Sequence, residues 1–295
     1  MQQRLMRMKM KTIETYLTRN KWGTKDFRDI KTKLFYSVQE KQKDFHPLLA
    51  STYKDNPIQL IDFFSGAGGT SLGFASVNHV IPAFKMLGGC DINAVSAQTY
   101  SHNYGTPLIN EDIRSLAHDP QKLHELLDRI GYDPKKPTIL IGCAPCQGFS
   151  SHRKKHWNEE EDVRNSLVIA FAEIVEQIMP DAIVMENVPE FLSKRYWHYF
   201  SAAKSRFEKI GYIVKQNIYN AAMFGVPQER FRSIVIAMKK EFLMPVGILE
   251  PSEYKTVREA IGDLPPVPAG VAYPGDPMHK SASHKESTLE VIRQV

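Results

Sequence analysis

Between Ile58 and Met238, short apolar runs alternate with longer stretches whose apolar positions recur at helical spacing. The runs Ile58–Phe64, Leu108–Glu111, Thr138–Cys143, Ala182–Met185, Tyr212–Tyr219 and Ser233–Met238 predict strands. Ala94–Asn103, Gln121–Ile130, Asn165–Ile178 and Tyr196–Ile210 predict helices. Strands and helices in turn indicate an α/β fold, a mostly parallel sheet covered on both faces. The last two strands are separated only by Asn220–Arg232, too short for a helical crossover, so they are expected to pair antiparallel at one edge. Beyond residue 240 the pattern changes. Pro245, Pro251, Pro265, Pro266, Pro268, Pro274 and Pro277 break any long helix or central strand, and this tail reads as loops without a core of their own.

The 295 residues are 42% hydrophobic and 24% charged, ordinary values for a folded chain, and no apolar run is long enough to span a membrane. Three cysteines, Cys90, Cys143 and Cys146, argue against a secreted disulfide framework and fit a reducing, intracellular setting. The basic N-terminus lacks the apolar centre of a secretory signal. Of the net charge of +5, residues 1–57 carry 13 Lys/Arg against 6 Asp/Glu, leaving 25 against 27 in the remainder. The expected organisation is a basic extension (1–57), a catalytic domain (58–240) and a Pro-rich connection (241–295). A basic arm can engage phosphates, but a solvated segment has the same composition.

Sheets of this kind bind ligands outside the carboxyl ends of their strands. The first predicted strand runs into Asp62-Phe63-Phe64-Ser65-Gly66-Ala67-Gly68-Gly69-Thr70-Ser71, where glycines permit a tight turn and a close approach of ligand to backbone. The dinucleotide fingerprint would need glycine in place of Ser71, and no Gly-Lys-Ser/Thr follows to make a Walker loop. Asp91 stands about where a second strand would present an acidic residue to a ribose, and Asp112 ends the next strand candidate. Together they suggest a cleft for an adenosine-containing ligand with few phosphate contacts; taken singly, each aspartate reads equally well as a helix cap.

Cys143-Ala144-Pro145-Cys146-Gln147-Gly148-Phe149-Ser150 follows the most apolar strand. Three readings compete for it. Zinc binding lacks a second C-x-x-C, and His152 and His156 have no further cysteine partners. A redox pair would need a reactive Cys143, which reads as the buried end of a strand. The third makes Cys146 an exposed nucleophile. Glu186-Asn187-Val188, after another strand, would bring a carboxyl able to donate a proton, against the bland alternative of a solvated carboxylate. Gln228, Arg230 and Arg232 alternate, which in an extended chain puts them on one side as a clamp for an anion or polarised carbonyl; otherwise they are surface polar groups.

In order and approximate spacing, Asp62–Gly69, Pro145-Cys146-Gln147-Gly148-Phe149-Ser150, Glu186-Asn187-Val188 and Gln228-Glu229-Arg230-Phe231-Arg232 resemble the DNA cytosine-5 methyltransferase family. The resemblance implies a Rossmann-like methyltransferase fold with an antiparallel edge strand, S-adenosylmethionine as cofactor and cytosine in double-stranded DNA as target. It implies that Cys146 adds to C6 of a flipped cytosine, that Glu186 holds N3, and that Arg232 contacts the carbonyl with Arg230 in support. It also implies that Phe64 packs on the adenine, with Ser65, Gly66, Gly68, Gly69 and Pro145 around the cofactor, Asp91 on the ribose and Asp112 on the adenine amine. Ser150–Trp157 would be a mobile loop closing over DNA, and no metal is implied.

Family members continue into a target-recognition domain, and Thr256–Pro265 resembles the start of that connection. The expectation is a restriction-modification enzyme in the bacterial cytoplasm, either one subunit of a split methyltransferase, whose second polypeptide supplies recognition, or a truncated member. An RNA cytosine-5 methyltransferase and a non-catalytic DNA- or cofactor-binding regulator are the alternatives.

Overall fold

The computed structural model describes residues 57–78, 83–145, 160–194 and 196–294. The basic extension with its helix-like stretches Thr12–Tyr16 and Phe27–Val38, the nucleophile candidate Cys146 and the loop Ser150–Trp157 lie outside the described residues.

Six strands form the main sheet: β1 (Ile58–Phe63), β2 (Phe84–Cys90), β3 (Thr138–Gly142), β4 (Ala182–Asn187), β5 (Ile213–Asn220) and β6 (Phe231–Met238), in the order β2-β1-β3-β4-β6-β5. β1 is parallel to β2 and β3, and β3 to β4, whereas β6 is antiparallel to β4. The expected mostly parallel sheet is present. Its antiparallel strand lies one place in from the edge, and β5 forms the edge itself. Because β2 and β3 flank β1 on opposite sides, the chain reverses direction across the sheet between β1 and β3, the place where such folds open a crevice at the strands' carboxyl ends.

Helix α1 (Gly69–Val77) connects β1 to β2; α2 (Ala94–Tyr104), α3 (Ile113–His118) and α4 (Pro120–Arg129) lead to β3; α5 (Glu160–Ile178) leads to β4 and α6 (Trp197–Lys209) to β5. The caps explain several boundaries. Asn93 accepts a hydrogen bond from Ser96 N at the start of α2, and Gly105 ends that helix at φ 62°, a conformation glycine adopts without a Cβ penalty. Asp119 caps α4, with Pro120 opening its first turn.

Two strand expectations need correction. Leu108–Glu111 supplies only a single parallel bridge, Cys90 to Ile109. The strand missing from the pattern is β2, which carries Gly88 and Gly89. Both are buried: a Cβ on Gly89 would stand 2.5 Å from the Tyr100 ring of α2, and one on Gly88 2.6 Å from the Ile109 side chain, so the two glycines make room for packing on the sheet.

Alternation along β1 divides the core. Ile61 and Phe63 join the larger cluster under α3 to α6, where Phe171 meets Phe63 edge to face at 6.1 Å and Phe191 meets Phe200 at 5.6 Å. Leu60 joins a smaller cluster with Ala75, Met86 and Ile141. Asp62, two residues along from Leu60, shares that second face.

Residues Asn220–Arg230 and Gly247–Val295 make a separate compact unit. Within it Asn220 Oδ1 accepts from Ala222 N and Arg230 N, and Met223 O accepts from Ile248 N and Leu249 N. The tail is more ordered than loops alone. It forms α7 (Val257–Ile261), capped reciprocally by Thr256 and Glu259, a hairpin of β7 (Ala272–Tyr273) and β8 (Asp276–Lys280), and α8 (Glu286–Arg293). No described residue from Gly247 onward is buried, in keeping with a segment that has no core of its own.

Candidate active site

At the end of β1 the chain turns sharply into α1. Gly68 N donates to Ser65 O at 2.9 Å, and Phe64, Gly66 and Gly68 all have positive φ. For Phe64, at φ 61°, this is a strained conformation that presents a half-buried aromatic ring at the strand's end. The glycines divide by role. A Cβ on Gly68 would collide with the rings of Tyr100 and Tyr104, whereas one on Gly66 or Gly69 would meet nothing within 4 Å. Gly68 is therefore required by packing, and Gly66 and Gly69 leave the outer side of the loop open.

Beneath the loop lies a buried polar network that residue spacing did not reveal. Ser71 Oγ donates to Asp62 Oδ2 at 2.7 Å and stands 2.9 Å from the Tyr100 hydroxyl. Asp62 is 1% exposed, and burial pushes its carboxyl up to about 7, against the opposing hydrogen bond from Ser71. Its Oδ1 is buried and has no hydrogen-bond partner among the described residues.

Asp91, one residue past β2, ties this loop to its neighbour. Oδ2 accepts from Gly66 N and Oδ1 from Asn93 N, each at 2.8 Å. A carboxylate has about four acceptor positions, so capacity for hydroxyl donors remains. Ile92, the next residue, is 68% exposed, an apolar surface beside Asp91 that only its exposure singles out. Asp112 acts as a helix cap, accepting from Arg114 N at the start of α3, and is held by the Arg114 guanidinium, which keeps its carboxyl below the usual range.

The second group of candidates surrounds β3, β4 and β6. Burial, with the nearby charges of Asp62 and Glu186, pushes the Cys143 thiol up to about 12, so it is no thiolate at neutral pH. Ala144 and Pro145 continue toward Cys146. On β4, Glu186 is opposite Ile234 of β6, which makes Arg232 its diagonal neighbour on the same face. Arg232 Nε meets Glu186 Oε1 at 2.6 Å, with the two side chains 22% and 36% exposed. This pair is half-open and charged, suited to binding a planar group that offers both an acceptor and a protonatable nitrogen.

The other face of the same two strand ends is closed. Asn187 lies opposite Ser233, and both are buried. Asn187 Nδ2 donates to Ala144 O at 3.1 Å, and Ser233 Oγ donates to the carbonyls of Asn187 (3.1 Å) and Val188 (3.0 Å).

The arginine motif departs from the extended reading. β6 begins only at Phe231, and Gln228 lies in a tight turn with its N donating to Val226 O at 2.7 Å, so alternation does not align Gln228 and Arg230 with Arg232. Arg230 is exposed and belongs to the second compact unit, its backbone held by Asn220 and Ala221. Among the described residues no His, Cys, Asp and Glu cluster could hold a metal, and no helix is long and apolar enough to cross a membrane.

A Gly-rich turn after β1, strand-end carboxylates and the Glu186–Arg232 pair thus stand at one end of a mostly parallel α/β sheet. Residues 58–291 match the family model for C-5 cytosine-specific DNA methylases, and the chain belongs to that family. It is 30% identical over 235 residues to the Type II methylase M.HgiDII of Herpetosiphon aurantiacus, the match covering 79% of this chain and 62% of that protein. To the Type II methyltransferase M.AquIA of Picosynechococcus it is 30% identical over 233 residues, covering 70% of this chain and 89% of the relative. A solved structure described as a DNA modification methyltransferase encoded within a prophage (E. coli) shares the fold, with TM-score 0.56 and 24% identity over 73% of this chain and 57% of that one. The chain spans between 53% and 62% of the length of three of its curated relatives. The family as such implies a methyl donor.

Proposed function

We propose that this chain carries the catalytic machinery of a DNA (cytosine-5-)-methyltransferase in a cytoplasmic bacterial restriction-modification system, with S-adenosylmethionine as donor and double-stranded DNA as substrate. The observation that carries this reading is the Glu186–Arg232 pair, held at 2.6 Å on one face of β4 and β6.

The residues present fit the donor. Gly66 and Gly69 leave open space outside the loop, Asp91 retains acceptor positions for ribose hydroxyls, and the orphaned Asp62 Oδ1 faces no described partner. Phe64 and Ser65 line the same turn, and Asp112 would reach the adenine amine only by sharing its carboxylate with Arg114. When bound, S-adenosylmethionine supplies the electrophilic methyl group.

The chain's own residues would make cytosine reactive. C5 is a weak nucleophile, and addition of the Cys146 thiolate to C6 places electron density on C5. Addition is favoured when N3 holds a proton, which Glu186 supplies, and when the ring carbonyl is hydrogen-bonded, which Arg232 does. After the methyl group is in place, loss of the C5 proton and elimination of Cys146 restore the aromatic ring. The base must be flipped out of the stack to be reached, and the charged residues of Ser150–Trp157 suit phosphate contact.

The substrate side of this reading includes a target-recognition segment, on the same polypeptide or on a second one. Tritiated methyl transfer to unmethylated DNA and to sequence-matched RNA, with wild type and Cys146→Ala, tests the proposal. Cys146-dependent label in DNA is expected; label in RNA alone, or label surviving Cys146→Ala, would refute it.

A further inference from the structure

We infer that Asn187 and Ser233 are positioning residues, a buried latch that sets where the cysteine loop stands relative to the Glu186–Arg232 pair. The inference deepens the proposed function and rests on it.

The geometry follows from the sheet. Side chains alternate faces, so the two residues directly after Glu186 and Arg232 must point away from the cleft when those two point into it. Here they are Asn187 and Ser233, directly opposite each other, at 5% and 1% exposure. A polar pair buried this deeply costs free energy unless its hydrogen bonds are made, and the bonds made here join three segments. Asn187 Nδ2 reaches across to Ala144 O, in the segment after β3. Its Oδ1 accepts from Val188 N at 2.9 Å, which fixes the amide's orientation. Ser233 Oγ then clamps β6 onto the carbonyls of Asn187 and Val188.

Ala144 is two residues before Cys146, with the φ-restricted Pro145 between them, so anchoring the Ala144 carbonyl restrains how the chain enters the nucleophile's position. The same two residues adjoin Glu186 and Arg232. One buried hydrogen-bonded relay therefore couples the group that attacks C6 to the groups that hold the base. Neither residue needs to touch substrate. A misplacement on the order of 1 Å at a reacting group can cost about 100-fold in rate, which is the scale such a relay controls.

The test uses the complete methylating enzyme, and Ser233→Thr and Ser233→Val as a pair of equal shape differing only in the hydroxyl. Asn187→Asp, which removes the Nδ2 donor without changing size, is the third variant. Turnover, KM for S-adenosylmethionine and thermal midpoint are measured for each, together with amide exchange of the peptide spanning residues 138–147. The latch predicts that Ser233→Val turns over about tenfold more slowly than Ser233→Thr and that Asn187→Asp loses about 100-fold. KM for the donor should change far less than turnover, because only the bond to Ala144 O, beside Pro145, adjoins a donor candidate and none reaches Gly66 or Asp91, and exchange in the peptide should accelerate in Ser233→Val and Asn187→Asp. Equal turnover of the Thr and Val variants, or losses that track the thermal midpoint with donor KM rising in parallel, would overturn it. Absence of Cys146-dependent transfer in the wild type would count against the function, and peptide exchange then decides the latch alone. Faster exchange in Ser233→Val than in Ser233→Thr sustains it, and equal exchange refutes it.

Discussion

At the ends of β1 and β2, two carboxyl groups are held in place, buried Asp62 by the Ser71 hydroxyl and half-buried Asp91 by the backbone N–H groups of Gly66 and Asn93. At the ends of β4 and β6, two charged side chains stand half-open and hold each other. Both regions belong to one sheet, yet the first is a fixed mould and the second a pair of groups free to change partners. The difference matches the demands placed on them. A donor-binding turn gains from preorganisation, since nothing in it must change charge. Groups that handle a base must exchange one hydrogen-bond partner for another as the reaction proceeds.

Four substitutions probe that contrast. Glu186→Gln should lower turnover by about 10² to 10⁴ while leaving donor affinity within a fewfold, measured by single-turnover transfer and equilibrium binding. A parallel loss of donor affinity would erase the distinction between the regions. Asp62 makes the mould side sensitive to pH through stability. The unfolded chain ionises it near 3.8 and the folded chain only at about 7, so its contribution is fullest below 3.8. It then declines by about 1.4 kcal/mol per pH unit as pH rises, levelling off above 7. In denaturant melts across that range, Asp62→Asn should lack this slope, so that the difference in stability between variant and wild type changes with pH by that amount.

Asp91→Ala should weaken donor binding by about tenfold to a hundredfold, as for a lost hydrogen bond to a charged group, with turnover at saturating donor little changed. The smallest effect is structural. Gly89→Ala should destabilise the fold by about 1 to 3 kcal/mol, because its methyl group would press on the Tyr100 ring, with unfolding midpoints as the readout.

How far the sequence could be read follows the same division. β1 and β3 were legible because parallel strands buried on both faces are nearly continuous apolar runs, and the long helices α2, α4, α5 and α6 because their apolar stripes repeat. β2 was hidden by two glycines whose reason, the Tyr100 and Ile109 side chains packed over them, is a tertiary fact. The Glu186 and Arg232 positions stood out by residue type and motif. Their pairing required knowing that β6 runs antiparallel to β4 in a register that makes them diagonal neighbours. Asn187 stood out only as part of the Glu186-Asn187-Val188 motif and Ser233 only as the start of a strand; the buried bonds that join them depend on the register of β4 and β6. The alternation that grouped Gln228 with the arginines failed because a turn, not a strand, precedes Phe231.

The central claim is that Cys146 attacks cytosine C6 with Glu186 and Arg232 holding the base. Mass spectrometry of the complete enzyme after incubation with S-adenosylmethionine and target DNA containing 5-fluorocytosine tests it most directly, because fluorine at C5 cannot leave as a proton does and the sulfur should remain bonded to C6. The account predicts a covalent DNA adduct on the peptide containing Cys146, much reduced in Glu186→Gln. An adduct on Cys143 or Cys90, or methylated DNA with no adduct at all, would contradict it.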